Sequence, residues 1–248
     1  MVNRVLAVSL LAGLLAGLLI AALQHVTTTP LILKAESYEA ALSAASPTLA
    51  GFRDSAPAGE ARLFLAHGGH GDGSEAEWKP RDGFQRTAIT SLVTIATAVG
   101  FAALLLGGMI AANERIDDRR ALVWAVCGFL AFGLAPAIGL APELPGSAAA
   151  DLVHRQIWWI ATALCTAAGL FLFLRMEAPW LRALALPLIL APHLVGAPHP
   201  AGPESRVPAE IAAHFAALSL GVQAALWLAT GLAVGLLWPW ATRRARQD

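Results

Sequence analysis

Charge is what this chain has least of. Asp, Glu, Lys and Arg make up 14% of its 248 residues, against about a quarter in soluble proteins. Only two lysines occur, Lys34 and Lys79. Neither stands in a Gly-Lys-Ser/Thr triplet, which excludes a P-loop NTPase. The formal net charge is zero, so there is no electrostatic basis for nucleic-acid binding. The two cysteines, Cys127 and Cys165, sit inside apolar runs without partners at metal-ligand spacing, and read as small buried hydrophobes. What fills the chain instead is apolar: 57% of residues are hydrophobic, a balance that points to lipid as the solvent.

A membrane-crossing helix needs about 20 mostly apolar residues. The runs 5–23, 88–112, 121–141, 157–174 and 211–240 meet this, and 178–195 approaches it, interrupted by Arg182, Pro187 and Pro192. The expected fold is a single all-α integral membrane domain over 1–248 with six transmembrane helices. The first run has a core of 19 residues preceded only by Arg4, longer than the about 7–15 residues of a signal-peptide core. It is expected to stay as an anchor, and its cleavage would leave five spans in the same orientation.

Arginine sets that orientation, because cytoplasmic loops collect basic residues. NERIDDRR (113–120), RMEAPWLR (175–182) and the tail TRRARQD, together with Arg4, fall on one side if both termini are cytoplasmic. That side then holds nine basic and five acidic residues, the other eight and twelve. Segment 24–87 becomes a long outer loop, periplasmic in a bacterial inner membrane. Trp124, Trp180, Trp238 and Trp240 lie near inner ends and Trp158 and Trp159 near an outer end, as interfacial belts require. One consequence concerns chemistry. All seven histidines (His25, His67, His70, His154, His193, His199 and His214) land outside or at the outer ends of spans. An acidic, imidazole-rich face suits a divalent cation of intermediate softness.

Two stretches at outer ends resemble each other. APAIGLAPELPG (135–146) and APHLVGAPHPAG (191–202) each carry Ala-Pro pairs six residues apart, and the copies are offset by 56 residues. Each is followed by an acid and a histidine entering the next helix, Asp151 with His154 and Glu210 with His214, at spacings that share a helical face. Spans three–four and five–six are therefore expected to form a parallel repeat of one helical hairpin. Prolines within a span free carbonyls that protein or water must satisfy, and transporters place substrate near interrupted, repeated helices of this kind. GLLAG (13–17) and GLAVG (231–235) fit close helix contact.

The candidate metal ligands follow. His193, just after Pro192 at a helix mouth, and His199 form the better-defined set, with Asp151, His154, Glu210 and His214 beside them and His25 on the same face. His154 and His214 read equally well as capping or carboxylate-bonded residues. In HGGHGDG, His67, His70 and Asp72 could gather ions on a glycine-rich loop, and the same composition serves a solvated spacer. Histidine and carboxylate ligation suits cobalt, nickel or zinc. The spans show no acid at mid-depth for a proton relay, no histidine deep enough for haem or quinone, and no nucleophile–base pairing, so an enzyme is not expected.

The strings EWKPRDGFQRTAIT, APELPG, RQIWW, APHLVGAPHP and VPAEIAAHFAALSL, behind a His/acid loop, resemble the CbtA family of predicted cobalt transporter subunits. The resemblance runs from about residue 67 to 220, and the N-terminal anchor fits it. It implies a multi-pass inner-membrane protein in cobalt uptake for cobalamin synthesis. It also implies a small CbtB-type partner with one membrane span and a histidine-rich end. Co²⁺ would be substrate, with no prosthetic group. The histidine loop here is modest for the family. The alternative is a non-transporting membrane metal-binding or sensor subunit that presents ions to a partner.

Overall fold

Long apolar runs in lipid can satisfy their backbone groups only internally, so they become helices. The computed structural model describes residues 1–45, 80, 81, 83–200, 202, 205 and 207–244. Its helices are α1 (Val2–Val26), α2 (Thr28–Ala45), α3 (Phe84–Ala111), α4 (Asp118–Phe129), α5 (Ala135–Gly139), α6 (Leu152–Arg175), α7 (Pro179–Val195) and α8 (Ala209–Arg244). A π-helical segment, Leu130–Leu134, joins α4 to α5 without a break. No strand occurs among the described residues. Five units are long and apolar enough to cross a bilayer: α1, α3, the continuous α4–π–α5 rod, α6 and α8. With 17 residues, α7 rises about 25 Å, short of the roughly 30 Å of a hydrocarbon core.

Small residues decide which helices touch. A Cβ on Gly13 would lie 2.3 Å from Val99 Cα, and one on Gly17 2.6 Å from Ile95 Cα, so α1 lies directly against α3. The other side of α1 exposes Leu10, Leu14 and Leu18, leucine outward and glycine inward, as expected where lipid surrounds the bundle. GLAVG behaves likewise: a Cβ on Gly235 would meet Asp118 Cα at 2.6 Å, and one on Gly231 the Ala121 carbonyl at 2.9 Å, setting α8 against α4. Val8, Ala12, Leu106, Met109, Ala125 and Trp227 fill the core where α1, α3, α4 and α8 meet. The α6–α7 hairpin stands beside this core and reaches it chiefly through the π segment and α5.

Helix starts fall earlier than hydropathy alone indicates. The run beginning at 157 becomes a helix from Leu152, because the Asp151 side chain accepts the His154 amide and caps it, satisfying one of the orphan donors of a first turn. Within 24–87, α2 begins at Thr28, upstream of the alanine-rich 35–50 stretch. It is held by Ala35 packing with Leu144 and Val207 and by Glu36 pairing with Arg86 at 2.5 Å.

The two ends of the bundle differ in chemistry. At one, the Arg4 guanidinium lies 5.9 Å from the centre of the Trp238 ring, and Glu114 is paired with both Arg120 and Arg175. The N-terminus of α1 and the C-terminus of α8 therefore share an end with the α3–α4 turn and the end of α6. The five described histidines occupy the opposite half, where α1 and α7 finish and α6 and α8 begin.

Candidate functional site

At the histidine end, each side chain is placed by a helix terminus. Asp151, as the cap of α6, also holds His154 Nδ1 at 2.7 Å. The backbone amide of His154, and then its imidazole, keep the exposed Asp151 carboxyl below its ordinary range. His193 is half-buried in the last turn of α7, its ring edge-on to Trp158 with centroids 5.7 Å apart. Trp158 in turn donates its indole N–H to the Pro192 carbonyl at 3.1 Å, so the last turn of α7 is tied to α6 beside His193. His199 is exposed in the segment after α7, Glu210 and His214 are exposed in the first turns of α8, and His25 is exposed near the end of α1. Of the expected ligands, the structure joins Asp151 to His154 directly. His67, His70 and Asp72 lie outside the described residues. Among the described residues no three His, Cys, Asp or Glu side chains stand close enough to hold an ion together.

Deeper features lie between α4, the π segment, α6 and α8. Pro136 has no N–H to give to the carbonyl four residues back, that of Phe132. Gln223 of α8 supplies the donor instead, Nε2 to Phe132 O at 3.3 Å. An outer cavity of about 690 Å³ opens here, lined by Glu143, Arg155, Gln156, Trp159, Gln223 and Phe132 among others. Glu143 and Arg155 pair across it at 2.7 Å, each side chain about three-quarters buried. Toward the arginine end a second cavity of about 700 Å³ has mostly apolar walls, with Trp124, Cys127, Phe132 and Trp227 along it and Glu114, Arg120 and Arg175 also in its lining. Among the described residues, none of the expected metal ligands lines either cavity.

Burial pushes the Glu114 carboxyl upward, but a hydrogen bond from Arg120, the Arg115 amide and the Arg120 and Arg175 charges outweigh it and leave the group below its ordinary range. Its side chain is 8% exposed, covered by the two guanidinium groups rather than by a deep interior, which is why the charges prevail. Sequence reasoning passed over Glu143, Arg155 and Gln223. Two of them stood in strings already singled out, Glu143 in APELPG and Arg155 in RQIWW. Gln223 is an amide within the apolar run 211–240, facing the one carbonyl that Pro136 was bound to free.

An all-helical bundle with leucines outward, five bilayer-length units and a shorter apolar helix defines a multi-pass membrane protein. The family model described as Probable cobalt transporter subunit (CbtA) matches residues 2–239, nearly the whole chain, and the chain belongs to that family. The family is one of transporter subunits, so a metal is its substrate and a partner subunit is implied. Neither a curated protein nor a solved structure matches the chain.

Proposed function

We propose that this chain is the permease subunit through which a divalent metal ion, Co²⁺, enters from the periplasmic side of a bacterial inner membrane to supply cobalamin synthesis. The observation that carries the reading is the separation of chemistry along the bundle in a member of this family: the described histidines at one end, and at the other most of the described arginines, with Arg120 and Arg175 gathered on Glu114. Arginine-rich ends face the cytoplasm, which turns His25, His154, His193, His199 and His214 outward. In this reading α7 is the sixth span, and the Arg4–Trp238 contact between the first and last helical ends supports an even number of crossings.

Capture in this reading begins on His67, His70 and Asp72 and proceeds to His193 and His199 with Asp151, His154, Glu210 and His214, where imidazole and carboxylate replace water ligands. The ligands need not be assembled beforehand, since a loop and two helix mouths can close around an ion. A CbtB-type single-span subunit with a histidine-rich end completes the assembly, and the hairpins of spans three–four and five–six act as a parallel repeat.

Uptake of Co²⁺ by vesicles carrying the chain with its small partner tests this. Uptake should need His193 and Glu210 and survive loss of His67 and His70. A reporter fused after residue 118 should be cytoplasmic. The absence of a three-ligand group among the described residues favours one other reading, a subunit that presents ions without moving them. Retained binding with no uptake under any condition would replace transport by presentation.

A further inference from the structure

The two cavities share one lining residue. Phe132 closes the inner end of the outer cavity and the outer end of the inner one. Its ring lies 5.8 Å from Trp227, nearly parallel to it, and 6.2 Å from Trp159, and Phe101 packs on Trp227 at 4.7 Å. Phe132, stacked on Trp227 of the inner chamber and packed against Trp159 of the outer one, thus forms a partition between the two. Around it, one chamber carries the Glu143–Arg155 pair with Gln156 and Gln223, and the other leads to Glu114, Arg120 and Arg175.

The partition sits on the one part of the rod that is not α-helical. In the π segment the Ala135 amide bonds to Leu130 O, five residues back. A π turn holds an extra residue, and such turns recur at functional sites. Returning it to α-geometry would rotate one side of the helix by about 100°, one residue's worth of turn. Phe132 lies inside this segment, and Gln223 grips its carbonyl. The backbone is therefore built to hold the ring in one place and able to release it.

We infer that the transport route runs between α4, the π segment, α6 and α8, and that Phe132 is its gate, separating an outer vestibule at Glu143, Arg155 and Gln223 from an inner one that opens between Glu114, Arg120 and Arg175. This rests on the transport reading above and adds what that reading lacks, a path and the residue that interrupts it. The described histidines then stand at the entrance, outside both vestibules, and the substrate-contacting groups within the membrane are the amides of Gln156 and Gln223 and the carboxylate of Glu143. A divalent cation would draw Glu143 away from Arg155, so entry of the ion and weakening of that pair are one event.

Cys127 lines the inner vestibule, which makes it a built-in probe once Cys165 is replaced by Ala. A charged, membrane-impermeant methanethiosulfonate reagent is applied to vesicles from each side, with no metal and no partner required. Gln156→Cys identifies the side on which the outer vestibule opens. From that side, Cys127 should react slowly in the Cys165→Ala background. In Phe132→Ala its rate should rise by about tenfold or more, the change expected when a gate open in fewer than about 10% of molecules is removed. Phe132→Leu gives a smaller rise and serves if the alanine variant does not fold. Leu140→Ala, which enlarges the outer vestibule without touching the partition, should leave the rate unchanged. If Cys127 is no more reactive in either Phe132 variant while Gln156→Cys is labelled normally, the gate is overturned. Gated labelling without Co²⁺ uptake would leave the gate standing and remove the transport reading instead.

Discussion

The indole N–H of Trp158 points across the α6–α7 interface to the carbonyl of Pro192, 3.1 Å away. It joins the two helices of the hairpin in the last turn of α7 and fixes the ring against which His193 packs. Phenylalanine at 158 keeps the ring and removes the donor. The Pro192 carbonyl still accepts the Gly196 amide, so it is not orphaned, and Trp158→Phe should cost about 1 kcal/mol. Trp158→Ala should cost about 3–5 kcal/mol, because a large buried ring is lost. Thermal unfolding in detergent separates the two. In vesicles, Trp158→Phe should weaken His193-dependent capture.

The α1–α3 contact makes a sharper prediction. A methyl group at Gly13 or Gly17 would meet main-chain atoms of α3 within 2.6 Å, and backbone cannot step aside as a side chain can. Gly13→Ala and Gly17→Ala should each destabilise the bundle by about 1–3 kcal/mol through forced separation. Gly100→Ala, on α3 but facing open space, should be neutral. Unfolding midpoints of the three variants in one detergent give the comparison.

Gln223 should matter out of proportion to its exposure. Leucine at 223 fits an apolar helix but leaves the Phe132 carbonyl without its donor beside Pro136, a loss of about 1–3 kcal/mol. The effect should be local. Hydrogen exchange followed by mass spectrometry should show faster exchange in the π segment and α5, with α1 and α3 unchanged.

How much of this was readable beforehand depended on what fixes each feature. The long helices were, because lipid leaves an apolar run no other way to satisfy its backbone. Gly13, Gly17, Gly231 and Gly235 already marked the contact faces. The start of α6 was not, since Asp151 caps through a side-chain bond that hydropathy does not register. Nor was α2, whose polar and alanine-rich sequence is held by Ala35 and Glu36 reaching distant partners. The π segment leaves no trace within the run 121–141, and only Pro136 hinted that a carbonyl would need help. The histidine end was legible from loop charge. The Glu143–Arg155 pair was not, because it depends on how the 140–151 segment folds back over α6.

That pair invites a double-mutant cycle. Glu143 and Arg155 are each largely buried and face one another at 2.7 Å, while Arg155 Nε has no hydrogen-bond partner. Removing one charge strands the other in a poorly hydrated wall, and such changes cost about 3–5 kcal/mol in deep interiors. Here, with the vestibule open at one side, Glu143→Gln or Arg155→Gln should cost somewhat less than that. The double variant should be milder than either single one. Additive losses would mean that the two groups act independently.

Acid should loosen the arginine end through Glu114. Its carboxyl titrates below the ordinary value of 4.5 in the folded chain, so the unfolded chain takes up its proton at a higher pH than the folded one. The Arg120 and Arg175 contacts therefore contribute their full stability above about pH 4.5 and lose it as pH falls through the lowered folded value. Glu114→Gln should be less stable than wild type at pH 7, and the gap should narrow as pH drops below 4.5. The Asp151 carboxyl is also held below its ordinary range, so the series is run in an Asp151→Asn background. Unfolding midpoints between pH 7 and pH 3 that stay a constant distance apart would show that the Glu114 charge does not hold α6 to the α3–α4 turn.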